Sequence, residues 1–331
     1  MTIPAAVGFF ITSILANFFA PVANVQPADA YTLPHTGAVL GAVEQAYNLP
    51  QQTYASFYPE YGLPQNENKI IVPKKSVAGY DLAIDSSSSI AIDRDSGTVL
   101  WNDDSTARRP IASITKLMTA YVFLNSNPDL DKTYELQKED VRVGGKSFIY
   151  PGDQVKLKDL FYLTLVGSDN TAAVALARSI GLTEAEFVAK MNQQAVDFGL
   201  KDTKFEDISG LSNGNVSTAR EVLILAKKCL ANPKIRDTTI EASYEFSTVG
   251  GRDVKVLSTD ALLSVFPIDG INIIGGKTGH TDEAGYCFVG EFVNQAGHKI
   301  ISVVMGTNSN EDRFAETKKL VKWAYDNYLW Q

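Results

Sequence analysis

Hydrophobic and polar positions divide the chain into stretches of different character. Residues 5–20 read AAVGFFITSILANFFA, an apolar run without a charge. Residues 31–78 carry Pro, Gln, Asn and Tyr, few charges and no sustained period, the pattern of a connecting segment. Regular patterning begins at SSIAIDRDSGTVLW (88–101), where two β-prone runs flank the turn signal Asp95-Ser96-Gly97 and predict a hairpin. IASITKLMTAYVFL (111–124) follows Arg108-Arg109-Pro110 and has helix length, and Pro110 suits the first turn of that helix, where no N–H is needed. Helical spacing also runs through 158–180, 184–199 and 217–231. YCFVGEFV (286–293) and KIISVVMG (299–306) read as paired strands. A closing helix is expected over 311–329, with Phe314, Leu320, Val321, Trp323, Ala324 and Tyr328 at core-like intervals. Strands at both ends with helices between and after them predict an α+β fold with a largely antiparallel sheet, not repeated βαβ units.

Composition narrows the function classes. The 331 residues suffice for one large domain with an appendage, and 45% hydrophobic against 21% charged residues is the balance of an ordinary globular protein. A net charge of -8 argues against nucleic acid as a partner, because no basic stripe is present to collect phosphates. The two cysteines, Cys229 and Cys287, form no Cys-x-x-Cys pair and are read as separate buried thiols. No metal and no cofactor is expected.

The apolar run is followed by Pro21, Ala23 and an Ala-Asp-Ala stretch ending at Ala30, so residues 1–30 resemble a secretory signal. They lack the usual preceding basic residue, since the first Lys or Arg is Lys69. The reading places the protein outside the cytoplasm, in periplasm or cell wall, either secreted or membrane-associated through this segment, which is short for a full span. Leu33-Pro34-His35-Thr36-Gly37 matches a sorting pentapeptide but stands at the wrong end of the chain and is read as coincidence. The domain division is therefore 1–30 signal-like, 31–78 linker and 79–331 catalytic.

Three short motifs carry the chemistry: Ser113-Ile114-Thr115-Lys116 opening the long helix, Ser168-Asp169-Asn170 before another helix, and Lys277-Thr278-Gly279 just before a strand. Residues three apart share a helix face, so Lys116 can reach the Ser113 hydroxyl. To act as its base the amine must lose about 3 pKa units. Burial and a second cation, Lys277, both push that way. Ser168 and Asn170 extend the hydrogen-bond network, and the backbone N–H groups of Ser113 and His280 are candidates for an oxyanion hole beside Gly279. Blander readings exist for each part: Ser113 as a first-turn serine, Ser168 as a helix cap, Gly279 as a bulge. Against them, Ile111, Ala112, Ile114, Leu117 and Met118 surround Lys116, and a buried lysine needs a reason. A Ser-His-Asp triad has weaker support: His35 lies in the linker, His298 in a polar turn, and only His280 is near the motifs.

With IAIDRDSGTVLW, RRPIASITKLMTA, LTLVGSDNTAAVALA, Asp207-Ile208-Ser209-Gly210-Leu211-Ser212, Val216-Ser217-Thr218-Ala219-Arg220 and GGKTGHTDEAGYCFVG, the chain resembles the serine D-alanyl-D-alanine carboxypeptidases among the low-molecular-mass penicillin-binding proteins, from about residue 80 onward. The resemblance implies a penicillin-binding transpeptidase/β-lactamase-like fold: an antiparallel sheet flanked by helices, with an inserted helical lobe. It implies Ser113 as the acylated serine, Lys116 as its base, Ser168, Asn170 and Lys277 as supporting groups, and Thr278 as a contact for the substrate carboxylate. The partners it implies are peptidoglycan stem peptides and, as covalent inhibitors, β-lactams. Three departures stand out. Many members continue into a β-rich domain and an amphipathic anchor, and neither is expected here. Some carry an arginine where this chain has Leu257-Ser258-Thr259-Asp260, which shifts carboxylate recognition onto Thr278 and Lys277. Gly144-Gly145-Lys146-Ser147 replaces a serine-rich form. Alternatives are a D,D-endopeptidase that cuts crosslinks, a class A β-lactamase, and a non-catalytic β-lactam sensor. The second needs a Glu-x-x-x-Asn loop, and none occurs between Asn170 and Lys277.

Overall fold

The computed structural model describes residues 70–77 and 79–331. The signal-like segment 1–30, the pentapeptide 33–37 and most of the linker lie outside the described residues. Five strands form the central sheet: β1 (Ser88–Asp93), β2 (Val99–Asp103), β3 (Asn272–Thr281), β4 (Gly285–Val293) and β5 (Lys299–Thr307). Their order is β3-β4-β5-β1-β2, with every neighbour antiparallel, so the predicted α+β class holds.

The period of two sorts the side chains of these strands into separate cores. Ile301, Val303 and Met305 of β5, with Ile90 of β1 and Val289 of β4, face a helical lobe. Ile300 and Val304 face the opposite way onto Leu320, Trp323 and Ala324 of the closing helix. Phe288 and Phe292 of β4 pack on Phe314 and Val321 of the same helix. Both faces of the sheet are covered, which explains why all six residues of β1 are buried.

The helices are α1 (Thr115–Asn125), α2 (Leu157–Leu165), α3 (Asn170–Arg178), α4 (Glu184–Asp197), α5 (Ala219–Leu230), α6 (Pro233–Thr239) and α7 (Asn310–Asn327). Helix α1 is apolar almost all round and occupies the centre of the lobe, the expected place for such a helix. Local caps fix the last four: Thr183 and Glu186 form a capping box on α4, and Thr218, Asn232 and Ser309 cap α5, α6 and α7. No helix among the described residues is long and apolar enough to cross a membrane. Cys229 and Cys287 are free and buried, as the sequence suggested.

The structure differs from the sequence reading in several places. Helical spacing over 158–180 is broken between α2 and α3, where Ser168 takes a φ of 56° and Asp169 turns extended to cap α3. Pro110 does not begin a helix: Arg109–Pro110 pairs with Val216–Ser217. A 3₁₀ turn, Ala112–Ile114, then leads into α1, so Ser113 precedes the α-helix proper. The Lys277-Thr278-Gly279 motif lies inside β3, not ahead of a strand. Helix α7 stops at Asn327, and Tyr328–Leu329 pairs with Lys74–Lys75.

Candidate active site

The turn bearing Ser113 is held in an uncommon conformation from both sides. Ala112 has a φ of 46°, in the left-handed region that L side chains rarely enter. Gly210, itself at φ +89°, lies so close that a Cβ there would overlap the Ala112 carbonyl. Across the turn, a Cβ at Gly279 would come within 2.8 Å of the Ile111 carbonyl oxygen. Both glycines are therefore needed for close backbone approach to the serine turn.

Gly210 is positioned by Asp207, whose carboxylate accepts from the backbone N–H of Ser209 at 2.7 Å, of Gly210 at 2.5 Å and of Ser212. Asn215 ties this loop to α1, donating to Thr115 Oγ1 and to the Asp207 carbonyl, each at 3.0 Å. Thr119 donates to the Ile208 carbonyl at 2.6 Å. This bracing sets the buried Ser209 carbonyl 2.7 Å from Lys116 Nζ.

Lys116 is fully buried. Its Nζ lies 2.8 Å from Ser113 Oγ, 2.6 Å from Asn170 Oδ1 and 2.7 Å from the Ser209 carbonyl. Burial pushes its pKa down to about 7, against the opposing charges of Asp169 and Asp207. A neutral amine has two N–H donors and one lone pair. The two oxygen acceptors take the donors, and the lone pair is left facing the serine hydroxyl. Sequence reasoning gave Lys277 a share in lowering this pKa, whereas burial is its leading cause. Lys277 is held well below the ordinary lysine range by burial first, then by the charges of Lys116 and Arg313, with Asp260 opposing.

Lys277 is buried in mid-β3, with Nζ 2.9 Å from Ser168 Oγ and 3.1 Å from the Thr278 carbonyl. Ser168 sits on the α2–α3 break, and Asp169 fixes that break by accepting from Ala172 N at 3.0 Å and Phe148 N at 2.9 Å. Asn170 donates to the Gly144 carbonyl at 2.8 Å, which gives Gly144-Gly145-Lys146-Ser147 a place beside the amide. Thr278 Oγ1 pairs with Thr259 Oγ1 at 2.7 Å. His280 is exposed with its ring stacked on Tyr286, centroids 3.9 Å apart, so its side chain takes no part in this network. Among the described residues no group of His, Cys, Asp or Glu stands where it could hold a metal ion.

Ser113, Lys116 and Asn170 thus form one hydrogen-bonded group and Ser168 and Lys277 a second, joined through the Ser168-Asp169-Asn170 turn. The family model for D-alanyl-D-alanine carboxypeptidase matches residues 74–309. The chain belongs to that family. Within the carboxypeptidase family it is similar to D-alanyl-D-alanine carboxypeptidase DacF of Bacillus subtilis (strain 168), 33% identical over 75% of this chain and 64% of the relative. It is also similar to the D-alanyl-D-alanine endopeptidase of Haemophilus influenzae, 35% identical over 64% of this chain and 70% of the relative. The Streptomyces K15 DD-transpeptidase shares its fold at a TM-score of 0.69 and 28% identity, over 75% of this chain and 99% of that one. The match with DacF thus spans just under two thirds of that relative's length.

Sequence reasoning did not single out the residues behind the constellation. Asp207 and Gly210 stand in a stretch, Asp207 to Ser212, whose Asp-x-Ser-Gly order is an Asx-turn signal, but nothing in it marks the Ser209 carbonyl as a ligand for Lys116. Arg313 had no local signal. It comes in from α7, is buried, and donates to the Gly279 carbonyl at 3.1 Å.

Proposed function

We propose that this family member is a serine D,D-carboxypeptidase that removes the terminal D-Ala of peptidoglycan stem peptides through an ester on Ser113. The observation that carries the reading is the buried Lys116 amine, 2.8 Å from Ser113 Oγ with a pKa brought near 7. Neutral Lys116 takes the hydroxyl proton as Ser113 Oγ bonds to the carbonyl carbon of the penultimate D-Ala. Backbone N–H groups of Ser113 and His280 hold the oxyanion. The C–N bond then breaks, and the leaving amine receives a proton passed through Ser168, which Lys277 holds. Water later cleaves the ester and restores Ser113. Asn170 orients Lys116 and the substrate amide, while Thr278, Lys277 and the Gly279 backbone receive the terminal carboxylate.

The same chemistry makes a β-lactam carbonyl a trap, because the amine of the opened ring stays tethered. The reading takes 79–331 as the catalytic domain, acting outside the cytoplasm. It takes 1–30 as the exporting segment, cleaved or retained at the membrane, and 31–78 as a linker. Cleavage of crosslinks is a second reading, favoured by the similarity to an endopeptidase. Purified protein is given a stem pentapeptide and, separately, a crosslinked dimer. Release of D-Ala from the pentapeptide supports the carboxypeptidase reading, and cleavage of the dimer alone overturns it.

A further inference from the structure

The Asn170 amide lies between two partners that differ in what they can bond. Its Oδ1 is 2.6 Å from Lys116 Nζ, and its Nδ2 donates to the Gly144 carbonyl at 2.8 Å. A carbonyl only accepts, so only the nitrogen end of the amide fits against Gly144. A neutral amine both donates and accepts, so Lys116 tolerates either end. With the amide reversed, Nδ2 would donate to the Lys116 lone pair. The amine would then turn an N–H toward Ser113 Oγ in place of the lone pair and would be unable to take the hydroxyl proton. The orientation of Asn170 therefore decides whether Lys116 is a base, and of these two partners only Gly144 imposes the choice.

Segment 142–148 is stitched to the turn that carries Asn170. The Arg142 N–H donates to Thr171 Oγ1 at 3.1 Å and the Phe148 N–H to Asp169 Oδ2 at 2.9 Å, one tie on each side of Gly144. Between these ties the chain turns through Gly144 and Gly145, at φ 112° and 73°. An L side chain is strained at such angles, and a Cβ on Gly144 would also stand 3.2 Å from Leu211 Cδ2. The glycine pair thus lets a backbone carbonyl reach an amide that is itself only 6% exposed.

We infer that the Gly144 carbonyl is a positioning group, which fixes the orientation of the Asn170 amide and so leaves the Lys116 lone pair to Ser113. This rests on the proposed roles of Ser113 and Lys116. Water in the same place would not impose the choice, since it donates as readily as it accepts. The charged groups that act on Lys116 are Asp169 from the α2–α3 turn, Asp207 from the loop before α5 and Lys277 from β3. On segment 142–148, Arg142 is paired with Glu184 and Lys146 is exposed. A change of Gly144 alters none of these charges.

The test is the rate of acylation by a chromogenic penicillin between pH 5 and 9, with melting temperatures, for the wild type and Gly144→Ala. Alanine at this φ forces the turn to shift and takes the carbonyl with it. A reversed amide pairs with the neutral amine alone, because an ammonium has no lone pair to offer. Reversal therefore removes reactive enzyme only where Lys116 is neutral. On the plateau above about pH 7 the rate is expected to fall roughly three- to tenfold, the worth of one hydrogen bond. At pH 5 the two proteins are expected to coincide, because reversal leaves the small population of correctly oriented neutral amine unchanged. The acid limb of the variant thus levels off about 0.5–1 pH unit earlier, the logarithm of the same factor. A loss at pH 5 as large as that on the plateau, or no loss in the folded variant, overturns the inference. A second measurement needs no substitution and decides the matter if Gly144→Ala does not fold. Neutron diffraction from crystals of the deuterated wild type is expected to show deuterons on the Asn170 atom beside the Gly144 carbonyl and none on the atom beside Lys116. The reverse assignment overturns the inference. If the wild type is not acylated on Ser113 at all, the proposed function itself fails, an outcome separate from either of these.

Discussion

Asn170 Oδ1 lies 2.6 Å from Lys116 Nζ, although the two residues come from different helices and stand 54 positions apart. Together with the Ser209 carbonyl at 2.7 Å, it occupies both N–H donors of a neutral amine and turns the remaining lone pair toward Ser113. This is an acceptor arrangement, not an ion pair, and it explains how a lysine can be wholly buried yet serve as a base.

Lys116→Met is expected to slow acylation of Ser113 by roughly 10²–10⁴-fold, the usual worth of a positioned general base. Methionine fills similar space without a charge, so the variant is expected to fold. Stopped-flow acylation with a chromogenic penicillin, beside a circular dichroism spectrum, checks both points. Unchanged acylation would remove Lys116 from the mechanism.

The acid limb of the acylation profile is expected near pH 7, because the neutral form of Lys116 is the reactive one and burial brings its pKa to about 7. Stability has a matching signature. Between about 7 and the unfolded value of 10.5 the unfolded chain holds a proton on Lys116 that the folded protein does not. Wild-type stability therefore rises with pH across that window relative to Lys116→Met, by up to about 1.4 kcal/mol per unit. Urea unfolding of both proteins at pH 7, 8 and 9 reads this difference, and parallel curves would contradict it.

Gly210→Ala is expected to cost about 1–3 kcal/mol and to slow acylation at least tenfold, since the new methyl meets the Ala112 carbonyl at a positive φ. The discriminating observation is a loss of rate at temperatures where the variant is still fully folded. Ordinary acylation there would show that the serine turn is not set by this contact.

Asp169→Ala removes the acceptor for Ala172 N and Phe148 N at the α2–α3 break. A loss of about 2–4 kcal/mol is expected from the missing cap and the two unsatisfied donors. Because Ser168 and Asn170 flank the break, acylation should fall as well. Chemical unfolding and acylation rates measure the two effects separately.

These sites show what was readable in the sequence and what was not. Strands β1, β2, β4 and β5 and helices α4, α5 and α7 were legible because their apolar residues recur at the period of the element. The Ser113, Ser168 and Lys277 motifs were legible because each has a distinctive residue order, and the structure brings them together. The α2–α3 break was not read from the sequence although Gly167 stands within it, because the residue that takes the left-handed conformation is Ser168, not the glycine. The 3₁₀ turn at Ser113 was hidden because Gly210 and Gly279, both distant in sequence, shape it. Asp260 and Arg313 gave no signal either, because burial of a charge beside β3 is a property of the folded chain.

The central claim is that Ser113 is the nucleophile made reactive by Lys116. Mass spectrometry of peptides from the penicillin-treated protein tests it most directly. The account predicts a single penicilloyl adduct on Ser113 that persists after the free drug is removed, and no adduct in Ser113→Ala. An adduct on another residue, or rapid release of hydrolysed penicillin with Ser113 left unmodified, would contradict it.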